Sequence, residues 1–390
     1  MSGVSARLRW LIALTPVFPP LAGLSLYFLR CWRRLGRPAG LIALFYLATQ
    51  LLAAALTPNP ALSLPLSALR SAYVLSLILL GACLGDRRWL RWLLPGMALV
   101  FATALLTSLL VYGPHFYARR LLHPYYTTSA LGITAATAVW ILLDYKRASP
   151  WLRGLLGLLA LAVLMLSGSR GAIAALAAGA LAAAVAGGRD FALALGAGGF
   201  FLGLRYLQLR LAGWAAEFHR MFSLNPSGRQ EVWQRAWKAF ASHPWGGVGP
   251  YQLGPWLNPQ LRSLEPWEGA AALGLRLPGW AASLQGAWLI AHNTLLQTLG
   301  ETGVVGAAGY LALLALVGYA AVRSREPLFV AIFFGFVTMG LVDNPMAVPS
   351  LHFAEIFWVA GGMALARSGL AVPLEQGLAV DQDQPGPDPL

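Results

Sequence analysis

Charge is what this sequence has least of. Asp, Glu, Lys and Arg make up 11% of the 390 residues, against about a quarter in a typical water-soluble domain, while apolar residues reach 58%. A hydrated polar surface cannot be built from that composition, so the solvent of most of the chain is a bilayer. Cysteine is nearly missing too: Cys31 stands beside a basic cluster and Cys83 inside an apolar run, which excludes a disulfide framework and a CxxC metal site. No GxxxxGK[ST], HExxH or C2H2 spacing occurs, so nucleotide hydrolysis and zinc chemistry find no support, and we expect neither metal nor cofactor.

The chain instead holds apolar runs near the length that crosses a hydrocarbon core, about 20 residues at about 1.5 Å each. They fall near 10–29, 39–56, 66–85, 92–112, 126–143, 152–168, 171–187, 191–207, 301–322, 328–342 and 350–368. The expected fold is therefore all-α: a polytopic integral membrane protein with about 11 to 12 transmembrane helices and one large loop containing short helices. Thr15, Pro16, Pro19 and Pro20 interrupt the first run, which is a kinked span or two short segments; the second choice gives the higher count. No small-residue cleavage site follows this run, and we expect it to be retained. The organisation divides into an N-terminal helix bundle (1–207), a loop subdomain (208–290), C-terminal helices (291–370) and a disordered cytoplasmic tail (371–390) rich in Asp and Pro.

A formal charge of +13 would suggest nucleic acid in a soluble protein, but these cations cluster between apolar runs, and no nucleic-acid partner is expected. Arg30, Arg33, Arg34 and Arg37, then Arg87, Arg88 and Arg91, then Lys146, Arg147 and Arg153 follow the pattern of cytoplasmic loops. Alternation then puts 57–65, 113–125, the turn at Arg170, the loop 208–290 and 343–349 on the outer side. Eleven spans would place Arg7 and Arg9 outside, against the same rule; a split first segment removes the conflict. The Ala- and Gly-rich run 171–187 and the series Gly300, Gly303, Gly306 and Gly309 are expected to serve close helix packing.

Four residues stand out as candidates for chemistry. In the outer loop, Ser227-Gly228-Arg229-Gln230 resembles a capping box opening a helix that ends before Pro244. Arg229 shares a helical face with Trp233, Trp237 and Phe240, which reads either as an interfacial helix facing the membrane or as an arginine held at the surface for an anion. Glu231 and Arg235 pair elsewhere on the helix. His243-Pro-Trp-Gly-Gly-Val-Gly249 forms a turn back to the surface. His292 precedes a span, Glu301 lies at the head of it, and Arg170 occupies a turn too short to leave the interface; ionisable groups at such depth are usually paired or functional. Asp343, in Asp343-Asn344-Pro345, reads as a structural turn residue.

Ser169-Arg-Gly-Ala172, Gly228-Arg-Gln-Glu-Val-Trp233 with His243 to Gly249, and His292-Asn-Thr-Leu-Leu-Gln-Thr-Leu-Gly-Glu-Thr-Gly303, in that order, resemble the O-antigen ligase and polymerase superfamily across about 160–345. The resemblance implies a GT-C-like, metal-independent glycosyltransferase of the bacterial inner membrane. Its donor would be an undecaprenyl-pyrophosphate-linked glycan and its acceptor a lipid or glycan hydroxyl on the periplasmic face. Carried over by motif, His292 is the general base, and Arg229 and Arg170 hold the pyrophosphate. Glu301 is expected to pair with an arginine or support the fold, because nine residues of helix, about 13 Å, separate it from His292. A polymerase joining carrier-linked repeats shares these motifs. A lipid-glycan flippase is the rival class, disfavoured because no internal repeat or midplane charge pattern is visible.

Overall fold

Inside a hydrocarbon layer every backbone N–H and C=O must find a partner within its own segment, which favours helices. The computed structural model of the chain describes residues 2–196, 229–258, 268–275, 289–347 and 353–373, and these are helical apart from turns and one isolated bridge between Leu35 and Ala371. The helices are α1 (Ser2–Leu14), a 3-10 segment (Pro19–Arg34), α2 (Arg37–Ala55), α3 (Pro60–Leu84), α4 (Leu94–Tyr112), α5 (Thr128–Asp144), α6 (Pro150–Leu166) and α7 (Arg170–Val185). After these come α8 (Arg229–Ser242), α9 (Gly254–Leu257), α10 (Glu268–Ala272), α11 (Thr294–Arg323), α12 (Pro327–Gly340) and α13 (Glu355–Arg367). Four runs are long and apolar enough to cross a membrane: α2, α3, α11 and Arg87–Ala118, which contains α4. Helices α5, α6, α7 and α12 are apolar but shorter, at 14 to 17 residues.

The first apolar run is split. Pro16 has no N–H to continue α1, and Pro19 and Pro20 open the 3-10 segment. Arg9 lies over the Trp92 ring, while the carbonyls of Pro16 and Val17 accept the hydroxyls of Tyr126 and Tyr125 from the opposite end of the bundle. The 3-10 segment then returns, so that the Arg34 carbonyl accepts the Val372 N–H at 2.8 Å. At about 2.0 Å rise per residue this segment extends about 32 Å, a hydrocarbon thickness, where an α-helix of equal length would fall short. Arg7 and Arg9 thereby join the end that holds the other basic clusters. There Arg87 pairs with Glu326 and with Asp144 (2.8 Å), Arg367 with Glu326 (3.0 Å) and Lys146 with Asp190 (2.7 Å).

Small residues bring the helices together, as the sequence implies. A methyl on Gly179 or Gly335 would collide with the fully buried Trp140 ring, which fills the seam between α7 and α12. Gly81 and Gly362 set α3 directly on α13, and Gly309 sets α11 on Thr49 of α2. The most extensive packing thus joins early helices to late ones in one bundle.

Gly303 has a second role. At φ +57° and ψ −167° it breaks α11, in a conformation a side chain would strain. The turn after α8 replaces the missing ladder: Val248 and Gly249 donate to the carbonyls of Gly300 (2.9 Å) and Glu301 (3.0 Å), and Val304 donates to Pro244 (2.8 Å). Gly247, also at positive φ, allows this approach, since a methyl there would overlap the Glu301 backbone. The His243 to Gly249 motif is thus a plug that satisfies a broken helix. The expected cap at Ser227 and Gly228, the run 197–207 and the tail from 374 lie outside the described residues, as do 208–228, 259–267 and 276–288 of the long loop.

Candidate active site

At the end opposite the basic clusters, α11 begins on a fixed cap. The Asn293 side chain accepts the Leu296 N–H at 2.9 Å and donates to the Leu341 carbonyl at 2.9 Å, tying the start of α11 to the end of α12. His292, one residue earlier, adopts φ +49°, a left-handed conformation that a β-substituted residue keeps only when its surroundings enforce it. Its carbonyl accepts the indole N–H of Trp233 from α8 at 3.3 Å.

The imidazole meets a residue that sequence reasoning had assigned to turn structure alone. His292 Nδ1 lies 3.1 Å from Asp343 Oδ1, which also accepts the Asn344 N–H at 2.9 Å. Asp343 is 1% exposed, and its second oxygen sits 3.9 Å from Arg229 Nη2. A carboxylate that deep stays ionised only with such donors around it. The His292 side chain is 40% exposed, so a buried carboxylate backs an accessible imidazole. With Nδ1 donating to Asp343, the free lone pair of the neutral ring is on Nε2.

Arg229 and Trp233 therefore turn inward to this cluster, correcting the expectation that their face as a whole meets the membrane. Trp237 on the same helix is exposed and packs on Phe240, with ring centroids 5.1 Å apart. Glu231 and Arg235 pair at 2.5 Å, as their spacing predicts.

Arg170 opens α7 beside the cap residue Ser169, whose hydroxyl accepts the Ala172 N–H at 3.3 Å. Gly171 abuts Val342, so the first turn of α7 is set against the segment carrying Asp343. Arg120, which the sequence reading passed over, donates to the Gly168 carbonyl at 3.2 Å in that same turn. Its signal was available: Arg119 and Arg120 form a basic pair in a loop that charge alternation puts outside, against the usual bias.

Glu301 does not reach His292. It pairs with Arg70 and accepts Gln297 Nε2 at 2.8 Å and the Tyr251 N–H at 3.0 Å, while the Arg70 guanidinium lies over the Tyr251 ring. Arg70 is a charge inside an apolar run, a signal overlooked in favour of the loops. Burial raises the Tyr251 phenol above its usual range. Tyr46, Gln50, Arg70, Gln297 and Asn344 line a cavity of about 50 Å³ beneath the cluster. At the same end of the bundle, burial pushes the His123 imidazole down to about 4; its Nδ1 accepts the N–H groups of Tyr125 (3.3 Å) and Tyr126 (3.1 Å).

The fold and this cluster define a helical membrane protein presenting an oriented histidine among arginines at one end of its bundle. Residues 155–311 match the family model described as O-antigen ligase, which supports the O-antigen ligase and polymerase superfamily and an O-antigen ligase-type function. Members of that family are glycosyltransferase-like ligases and polymerases acting on lipid-linked glycans, and the match together with the apolar helices supports a bacterial membrane protein. The matched stretch contains Arg170, Arg229, His292 and Glu301, whereas Arg70, Arg120 and Asp343 lie outside it. A comparison with curated proteins found no match.

Proposed function

We propose that this chain is a metal-independent glycosyltransferase of the ligase type. It moves a glycan from undecaprenyl pyrophosphate to an acceptor hydroxyl, on lipid A-core or another surface acceptor, at the periplasmic face of the inner membrane. The observation that carries the reading is the His292–Asp343–Arg229 cluster, which puts an oriented base beside a guanidinium.

A sugar on pyrophosphate already has a good leaving group. Nε2 of His292 takes the acceptor hydroxyl proton as that oxygen bonds to the anomeric carbon, and the bond from this carbon to the pyrophosphate oxygen breaks. Undecaprenyl pyrophosphate leaves carrying the electron pair. Arg229 and Arg170 hold its phosphates and neutralise the growing charge, doing from the protein what a divalent cation does in other pyrophosphate sites. Asp343 fixes the ring and stabilises the imidazolium. Glu301, held by Arg70, supports the broken helix that carries the base.

The test is transfer by purified protein in proteoliposomes, with carrier-linked glycan and EDTA present. His292→Ala should slow transfer by about 100 to 10,000 fold while donor binding persists. Arg229→Ala should weaken donor binding by tens of fold, through loss of a charge-assisted contact of about 2 kcal/mol, and Arg229→Lys should restore only part of it. Near wild-type transfer by folded His292→Ala would defeat the reading.

A further inference from the structure

The end of the bundle opposite His292 carries a cavity that the transfer reaction leaves unused. It encloses about 500 Å³ between the turns 87–91, 143–147 and 187–191 and the first residues of α12, Pro327 and Leu328. Sites for small ligands occupy about 300 to 1,000 Å³. Six cations line it, Arg87, Arg88, Arg91, Lys146, Arg147 and Arg189, against the two carboxylates Asp144 and Asp190. Both carboxylates are already engaged, by Arg87 and Lys146. Arg88 reaches Asp86 only at 3.7 Å and with both side chains well exposed, a contact that solvent screens. The walls are therefore net cationic and converge from three separate turns, unlike a basic run along one loop.

A second feature adjoins the charge. Directly before and after the 187–191 turn, Leu181, Val185 and Leu193 are 59%, 83% and 63% exposed, an apolar strip leading from the cavity along the side of the bundle. Trp151, 80% exposed, and Tyr145, stacked under Arg91 at 5.2 Å, mark the level of a membrane interface beside it. Phosphate chemistry and acyl-chain chemistry thus meet at one place.

We propose that this cavity binds the headgroup of an anionic phospholipid, its phosphate oxygens among these guanidiniums and its acyl chains along Leu181, Val185 and Leu193. The site stands independently of the transfer reaction. It would couple the turns after α3, α5 and α7 to the start of α12, and so brace the α7–α12 seam from the end remote from Asp343.

Thermal unfolding of the purified full-length protein, in phosphatidylcholine nanodiscs titrated with phosphatidylglycerol, tests this. A saturable rise in midpoint is expected, with no comparable rise from millimolar inorganic phosphate in phosphatidylcholine alone. Each basic residue near anionic lipid contributes about fivefold, so Arg88→Gln with Arg189→Gln should cost about thirtyfold in apparent affinity while leaving the phosphatidylcholine midpoint unchanged. The control pair Arg33→Gln with Arg37→Gln, at the same end but outside the cavity, should keep the response. If the first pair folds poorly, the exposed Arg189→Gln alone should lose about fivefold. The proposal is overturned by a flat titration of the wild type, by an equal rise with inorganic phosphate, by an unaltered response in the well-folded cavity variants, or by equal loss in the control pair.

Discussion

Asp343→Asn removes one negative charge from a nearly fully buried side chain while keeping its size and shape. The new amide must place its oxygen where Oδ1 now accepts both His292 Nδ1 and the Asn344 N–H, because turning the NH2 that way would set donor against donor. The tautomer of His292 is then preserved, but two things are lost. The imidazolium formed on proton transfer faces a neutral oxygen instead of a carboxylate, and Arg229 faces an NH2 at the 3.9 Å position. A hydrogen bond to a charged group contributes about 1.5 to 3 kcal/mol, so losing the charge slows transfer by roughly 10 to 150 fold. That is milder than His292→Ala, which deletes the base. The double variant should be no slower than His292→Ala alone, since without the imidazole the carboxylate has no base to orient. Single-turnover transfer in proteoliposomes, with amounts of folded protein matched by gel filtration, measures both. Asp343→Asn within twofold of wild type, or a double variant whose losses multiply, would refute the coupling of Asp343 to His292.

Gly303→Ala should lower the thermal midpoint and abolish transfer although it touches no substrate: the backbone strain costs about 1 to 3 kcal/mol, and the added methyl meets the Trp245 backbone. Arg70→Met or Glu301→Gln alone should destabilise by about 3 to 5 kcal/mol, and the double variant Arg70→Met with Glu301→Met by less, because only the single changes leave a buried charge unpaired; equal thermal shifts would argue against the pair. His123, with its folded pKa near 4 and unfolded value near 6.5, contributes stability that is complete above about pH 6.5 and lost as pH falls toward 4. The expected loss, about 3 kcal/mol, appears as a falling midpoint across that window, and His123→Asn should flatten it.

The positions of α2 to α7 are legible in the sequence to within a few residues, with α3 the widest departure at its start, because apolar run length and small-residue content are local properties. The split of the first run was one of two open readings; tertiary anchoring of Pro16 and Val17 by Tyr126 and Tyr125 decides it, and no local signal encodes that contact. His292 and Arg229, which the structure brings to the same carboxylate, stand out in the sequence by motif and spacing. Asp343 was not, since a lone Asp before Asn-Pro has a sufficient local explanation as a turn, and its partner lies 51 residues away. Arg70 and Arg120 did break local rules, one within an apolar run and one in a loop that charge alternation assigns to the outer side.

The break at Gly303 and the proposed base at His292 form one device. A straight α11 would satisfy its own backbone and give the turn 243–249 nothing to pair with. Broken at Gly303, it takes that turn as a replacement ladder, and the turn is the direct continuation of α8. The short half of α11, 294–302, is then held at three points: by Asn293 on Leu341, by Glu301 on Arg70 and Tyr251, and by the turn itself. Arg229 at the head of α8 and His292 at the head of α11 become rigidly related through Trp233 and Asp343, although 62 residues, 22 of them outside the described residues, separate them in sequence. The transferase proposed above, with a lipid-linked donor, gains from this arrangement. The His292 imidazole and the Arg229 guanidinium keep a fixed spacing about one carboxylate, as the proposed base and the proposed phosphate-binding group require.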